Sequence, residues 1–217
     1  MQTSITSPRR KDGLVDTVIA GVAELTDQLE YGAVINDIVC GAGVAATLVS
    51  KAFPNSQVVG MDPSPAAIAT ACAQPRTVNV DIQLAGFEDM AHLEVPEIVI
   101  TVDVLHDLRS ADMAADSVCR ALKDDGLWLI QDMVCWPTFE ENVGNIPWAP
   151  LYYGMLLMYC LGASASTPRA EGYGALGLYP DRVIEVLTRS GFNSCSAFRV
   201  EEYGNSQWHL ARKKGEA

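Results

Sequence analysis

The residues of this chain best placed to do chemistry begin with Asp37-Ile38-Val39-Cys40-Gly41-Ala42-Gly43. The segment closes one apolar run and opens a helix-forming one. Glycines there let the backbone bend sharply and let a ligand approach it, while the first N–H groups of the helix behind it face outward unpaired. Asp62 ends the next apolar run, 21 residues after Gly41. A carboxylate at that point can accept both hydroxyls of an adenosine ribose. Two ligands fit. Gly41-Ala42-Gly43-Val44-Ala45-Ala46 satisfies the G-x-G-x-x-A pattern of NAD-binding proteins. Asp37 and the pair Glu88-Asp89 lie outside that pattern, and with Asp62 they put acids at three successive run ends. Such a crevice suits ribose hydroxyls, an adenine amine and a cationic sulfonium better than a pyrophosphate, which favours S-adenosylmethionine over NAD.

His106 follows the fourth apolar run. An imidazole titrates near neutral pH and can take the proton of a phenol or alcohol. The bland alternative is that it caps the following helix or packs under neighbouring chain. Asp107 reads as an acid at a helix start, and His92 and His209 as structural or surface residues. Three scattered histidines and six evenly spread cysteines without a CxxC argue against a metal centre and against a disulfide framework.

These residues need a scaffold, and the pattern supplies one. Strands are expected at 33–39, 57–61, 78–84, 97–102 and 126–133, with helices at 44–53, from Ser64 to about Ala73, and at 110–122. Strand–helix alternation with buried apolar strands predicts a Rossmann-like, doubly wound α/β sheet. After a strand-free stretch comes a helix at 181–190, then strands at 193–200 and 206–212 joined through Gly204-Asn205. So short a connection makes that pair an antiparallel hairpin and brings the sheet to seven strands. Ahead of the sheet, Leu14, Val18, Val22, Leu25 and Leu29 fall at steps of three and four, predicting one amphipathic helix over 13–30. That helix either dimerises or covers the site. Residues 1–12 read as a flexible tail, and 13–217 as a single domain.

The chain has 217 residues, 49% hydrophobic and 19% charged, which excludes a disordered protein. It is long enough to bury about 70% of its unfolded surface. Its net charge of −12 disfavours nucleic acid as a partner. The most apolar stretch, 149–163, is too short to span a bilayer. No secretory signal is evident, and a cytoplasmic, reducing location is expected.

Four motifs together resemble the class I S-adenosylmethionine-dependent methyltransferases, over about 29–212. They are the glycine turn, Val59-Gly60-Met61-Asp62-Pro63-Ser64, Gly86-Phe87-Glu88-Asp89 and Val104-Leu105-His106-Asp107. More closely, the chain is similar to the catalytic domain of bacterial and plant small-molecule methyltransferases that carry an N-terminal winged-helix domain. Pro150-Leu151-Tyr152-Tyr153-Gly154 and the stretch 174–178 resemble one bacterial branch. The resemblance implies that Asp62 holds the ribose, that Gly41 and Gly43 line the methionine side, that Glu88 or Asp89 frames adenine with Phe87, and that Asp37, Ala42 and Pro63 also belong to the cofactor site. It further implies that Asp103 lies beneath the sulfonium and that His106 is the base for a hydroxyl acceptor.

The aromatic and Met-rich stretch 135–180 is expected to cover a small, apolar or aromatic acceptor, with Trp148, Tyr152, Tyr153 and Met155 as contacts. Two departures stand out. Val39 occupies a position where the family usually has glycine, and the winged-helix domain is missing from this sequence. They keep a non-catalytic ligand- or partner-binding domain in view beside the NAD-dependent oxidoreductase.

Overall fold

The structure is a computed structural model and describes residues 13–165, 170–201 and 204–213. The expected tail at 1–12 lies outside the described residues. Seven strands form one sheet in the order β3-β2-β1-β4-β5-β7-β6. β1 (Val34–Ile38), β2 (Gln57–Asp62), β3 (Val80–Leu84), β4 (Ile98–Val102) and β5 (Leu127–Met133) run parallel. β6 (Ser194–Phe198) and β7 (Ser206–Arg212) make the expected hairpin, with β7 antiparallel to both β5 and β6. Strand order reverses between β1 and β4. The crevice at that reversal, on the carboxyl edge, is where ligands bind in doubly wound sheets.

The helices are α1 (Ala23–Tyr31), α2 (Val44–Ala52), α3 (Pro65–Cys72), α4 (Ala111–Ala121), α5 (Phe139–Asn145), α6 (Ala149–Met155), α7 (Leu161–Ser164) and α8 (Pro180–Arg189). Their starts follow local chemistry. Ser64 and Ser110 each cap a helix by accepting a backbone N–H, and prolines stand in the first turns of α3, α6 and α8. Leu25, Leu29 and Val49 pack with Ile35 and Leu129 on one side of the sheet. On the other, Val118 of α4 and Val186 of α8 pack with Met61 and Ile130. Both cores reach the strands below the crevice, so the crevice rests on rigid elements.

The single helix expected at 13–30 is two segments. A π-helical turn, Leu14–Ile19, is followed by a break at Ala20-Gly21-Val22, where Val22 is extended at φ −118° and ψ 92°. Gly21 pays the largest backbone entropy of any residue in a helix, and β-branched Val22 prefers extended backbone. The apolar spacing survives the break, because Leu14, Val18, Leu25 and Leu29 are all buried.

A cavity of about 500 Å³ lies between this N-terminal region and the β6–β7 hairpin, lined by Val22, Glu24, Phe198 and Arg212 among others. Arg212 pairs with the first residue of β5, so this cavity opens toward the amino edge, away from the crevice.

Among its described residues the stretch after β5 has no strand, as expected, and these fold as α5, α6, a π-helical turn (Leu156–Cys160) and α7. Its return is fastened to the body by Glu171, whose carboxylate accepts from the Ser110 hydroxyl at 2.6 Å and from Ala111 N–H at 2.8 Å.

Candidate active site

The glycine turn leaves β1 with three residues in the left-handed region: Val39 at φ 58°, Gly41 at φ 56° and Gly43 at φ 70°. A Cβ at Gly41 would meet nothing within 4 Å, whereas one at Gly43 would press on Ala71 and Ile82 at 3.3 and 3.4 Å. Gly41 thus faces the open crevice, and Gly43 permits close packing of the turn on α3. Asp62, 4% exposed at the end of β2, braces the turn. One of its oxygens accepts from Gly41 N–H at 2.9 Å and the other from Ser64 N–H at 2.8 Å. Each oxygen keeps lone-pair capacity for a hydroxyl donor.

Asp37 sits under the turn with 2% exposure and accepts from Ala46 N–H in the first turn of α2 at 2.9 Å. Burial pushes its carboxyl up to about 7; the Ala46 bond opposes this and the nearby Asp62 charge adds to it. Asp37 therefore acts on the loop and the helix start from beneath.

The two non-glycine residues at positive φ among the described residues are Val39 and Asp103, the latter at φ 63°. They follow β1 and β4, the two strands that flank the reversal. Strained backbone of this kind costs about 1–3 kcal/mol per residue and gathers at functional sites. The strain at Val39 is the larger, because a β-branched side chain fits this region worse than Asp does. Val39→Gly removes it, loses some packing, and costs about 1 kcal/mol in chain entropy. We expect stability to stay within about 1 kcal/mol of the parent and S-adenosylhomocysteine to bind about tenfold tighter, a ratio set by 1.4 kcal/mol. Calorimetric titration measures this, and an unchanged constant would remove Val39 from the ligand's wall.

His106 lies in a 3₁₀ turn, Leu105–Asp107, directly after β4 and is 4% exposed. Its Nδ1 is 2.5 Å from one oxygen of Asp132, and its backbone N–H donates to the other at 3.2 Å. Nε2 lies 3.2 Å from Asp107, and Asp103 approaches Nδ1 at 4.0 Å. Cys160, from the π-helical turn after α6, brings its Sγ within 4.8 Å of the ring. Burial works against a charged imidazole, but Asp132, Asp107 and Cys160 outweigh it and hold the His106 pKa well above its usual value.

Asp132 is the residue that sequence reasoning missed. Its signal was an acid near the end of an otherwise apolar, buried strand. His209 is wholly buried, with neither ring nitrogen hydrogen-bonded among the described residues; burial depresses it to about 4, against a weak pull from Asp132.

The remaining candidates are placed as follows. Ala42 is half-buried in the turn, and Pro63 is exposed after Asp62. Phe87 lies in the core beneath the crevice, Asp89 accepts from Gly86 N–H at 2.9 Å, and Glu88 is exposed beside Gly86. Tyr152 and Tyr153 pack against Cys135, Ile146 and Leu176, and their hydroxyls accept from Asn205 at 3.0 Å and Asn142 at 3.2 Å. Met155 is half-buried, while Trp148 is on the outer side of α6 and 64% exposed. The structure thus gathers Gly41, Asp62, Asp103 and His106 along one edge and leaves Trp148 facing outward.

Residues 35–126 match the family model described as a methyltransferase domain. The sheet order and the closing hairpin are those of the class I methyltransferase fold. Among solved structures, human N-acetylserotonin methyltransferase in complex with S-adenosylmethionine is 20% identical, with a TM-score of 0.64 over 84% of this chain and 48% of that one. The CurJ carbon methyltransferase is 15% identical, with a TM-score of 0.68 over 99% of this chain and 57% of that one. An O-methyltransferase-like protein from Nostoc punctiforme is 15% identical, with a TM-score of 0.66 over 94% of this chain and 59% of that one. The chain spans about half the length of these structures. No curated protein matches it in sequence.

The residues present fit the donor. An open backbone cradle at Gly41, a buried acid at the end of β2 and an acidic crevice match a ribose and a sulfonium. No described helix is long and apolar enough to cross a membrane.

Proposed function

We propose that the chain transfers a methyl group from S-adenosylmethionine to an oxygen of a small, apolar or aromatic acceptor, with His106 as the base. The observation that carries this reading is the His106–Asp132 pair, buried on the same crevice edge as Gly41 and Asp62. The donor supplies an electrophilic methyl on a good leaving group, so the protein has to align the acceptor and remove its proton. The acceptor hydroxyl gives its proton to the imidazole as its oxygen gains the methyl. Asp132 fixes the ring through Nδ1 and leaves Nε2 to face the acceptor, with Asp107 beside it. Asp132 is thus a positioning residue. The stretch 135–180 covers the site, and the Cys160 contact with His106 supports that placement. Six free cysteines favour a reducing compartment.

His106 must be neutral to accept a proton, so kcat/KM rises with pH up to the His106 pKa, which lies well above 6.5. Removing the Asp132 charge takes away the strongest influence raising that pKa. Asp132→Asn is therefore expected to move the rising limb of the pH profile to lower pH while reducing the plateau. A profile that keeps its midpoint would place the titrating group elsewhere.

A non-catalytic domain is the second reading, favoured by the strained Val39. Thermal unfolding with S-adenosylmethionine, S-adenosylhomocysteine or NAD separates the readings. Ligand at about 100 times its dissociation constant adds roughly 2.7 kcal/mol, a shift of several degrees. A shift with the first two alone supports the donor assignment and licenses an acceptor screen. A shift with NAD alone overturns it.

A further inference from the structure

The covering stretch has a second apolar side that methyl transfer does not use. The inner face of α6 and the following π-helical turn (Ala149, Tyr152, Tyr153 and Leu156) packs on Cys135, Ile146 and Leu176. The outer face is equally apolar. Trp148, Leu151, Met155 and Met158 follow at steps of three, four and three, the spacing by which one helix seats against another.

With Tyr159 beside this stripe and Phe139 and Val143 on α5, six large apolar side chains (Met155, half-buried, not among them) stand 45–69% exposed. Between Glu141 and Arg169 the sequence has no charged residue at all, in a chain carrying 42. A helix apolar on both sides belongs in an interior, not at a surface.

We infer that this outer face is the interface of a two-fold dimer, in which α6 and the following turn pack against the same segment of a second copy. The area fits. At roughly 150–250 Å² for each aromatic side chain and less for Val143, Leu151 and Met158, the six leave on the order of 600 Å² of apolar surface in water. A standard interface uses about 800 Å² per partner, and the neutral backbone and small side chains around the stripe supply the rest.

The charge pattern fits too. A symmetric contact sets each surface against itself, and in a chain of net charge −12 the stretch 142–168 can do so without opposing acids, with Glu140 and Glu141 of α5 flanking it. A membrane surface is the poorer occupant, because interfacial helices carry Lys and Arg to meet anionic lipid and this one has none. A small acceptor could not cover so wide a face.

The test is the mass in solution by analytical ultracentrifugation at about 1–100 μM. It uses the full chain, Leu151→Glu, Met158→Glu, and Tyr31→Glu as a control outside the stripe. Each variant is checked for folding by circular dichroism and by its thermal shift with S-adenosylhomocysteine. The expected result is two chains for the parent and for Tyr31→Glu, and one chain for both stripe variants with the ligand shift retained. Glutamate on an exposed helix face leaves the inner core intact, so a folded monomer is attainable even if one variant fails.

A parent that stays monomeric throughout would overturn the inference, as would stripe variants that remain dimeric. So would dissociation by Tyr31→Glu alone, which would move the contact to α1. A monomeric parent that floats with neutral phosphatidylcholine vesicles would assign the face to lipid. None of these outcomes depends on turnover, so the dimer and the methyl-transfer reading can fail separately.

Discussion

His106→Ala is expected to lower turnover by about 10²–10⁴-fold, the range a positioned general base contributes, while S-adenosylhomocysteine binds within a few-fold of the parent. The split follows from where the residue sits. His106 follows β4, on the side proposed for the acceptor, whereas Asp62 and the open Gly41 follow β2 and β1. Alanine also leaves Asp132 and Asp107 without the imidazolium between them, and deleting one partner of a buried pair costs about 3–5 kcal/mol. The variant will therefore melt lower, and loss of fold must be separated from loss of chemistry. His106→Gln serves here, because its amide can still donate to Asp132 but cannot take a proton. Equal loss of turnover in both variants, with cofactor binding retained, is the outcome the mechanism requires. Near-normal turnover in either would remove the base.

The second large effect is expected at Asp62. Its carboxylate does two jobs: it holds Gly41 N–H at 2.9 Å, and it presents its remaining capacity to the crevice. Hydrogen bonds to a charged group are worth about 1.5–3 kcal/mol each, so losing the two hydroxyl contacts proposed for Asp62 is expected to weaken cofactor binding by about 10²–10⁴-fold. Asp62→Ala should thus abolish the thermal shift with S-adenosylhomocysteine at concentrations that saturate the parent. Asp62→Asn keeps an acceptor for Gly41 N–H and should lose less. A wild-type shift in the alanine variant would place the ribose elsewhere. The two variants make opposite demands: Asp62 fails in binding and His106 fails in rate.

Most of the scaffold was readable because its signals are local. Apolar runs give strands, Ser64 and Ser110 give helix starts, and the short link through Gly204-Asn205 gives the hairpin. The acid that braces the glycine turn was readable for the same reason: Asp62 ends one of those runs. What could not be read depends on which strands become neighbours. Asp132 gains its meaning only because β5 lies beside β4, which brings it under His106 from 26 residues away. Before that adjacency is known, an acid inside an apolar strand is an anomaly without a partner. The contact from Cys160 depends likewise on where a long irregular stretch returns. The break at Gly21 was missed for a different reason. Apolar spacing reports which face is buried, and a kinked pair of segments can bury the same face as one helix.

The buried Asp37 gives the crevice a sense of charge. Burial pushes its carboxyl up to about 7, so the negative charge under the turn is expected to grow as pH rises through neutrality. The donor enters as a sulfonium cation and leaves as an uncharged thioether. Both keep the same ammonium and carboxylate, so they differ by the sulfonium charge, which an ionised Asp37 attracts and a protonated one does not. The protonation of this one acid beneath the glycine turn is thus expected to weigh on the donor more than on its spent form, and more so above neutrality.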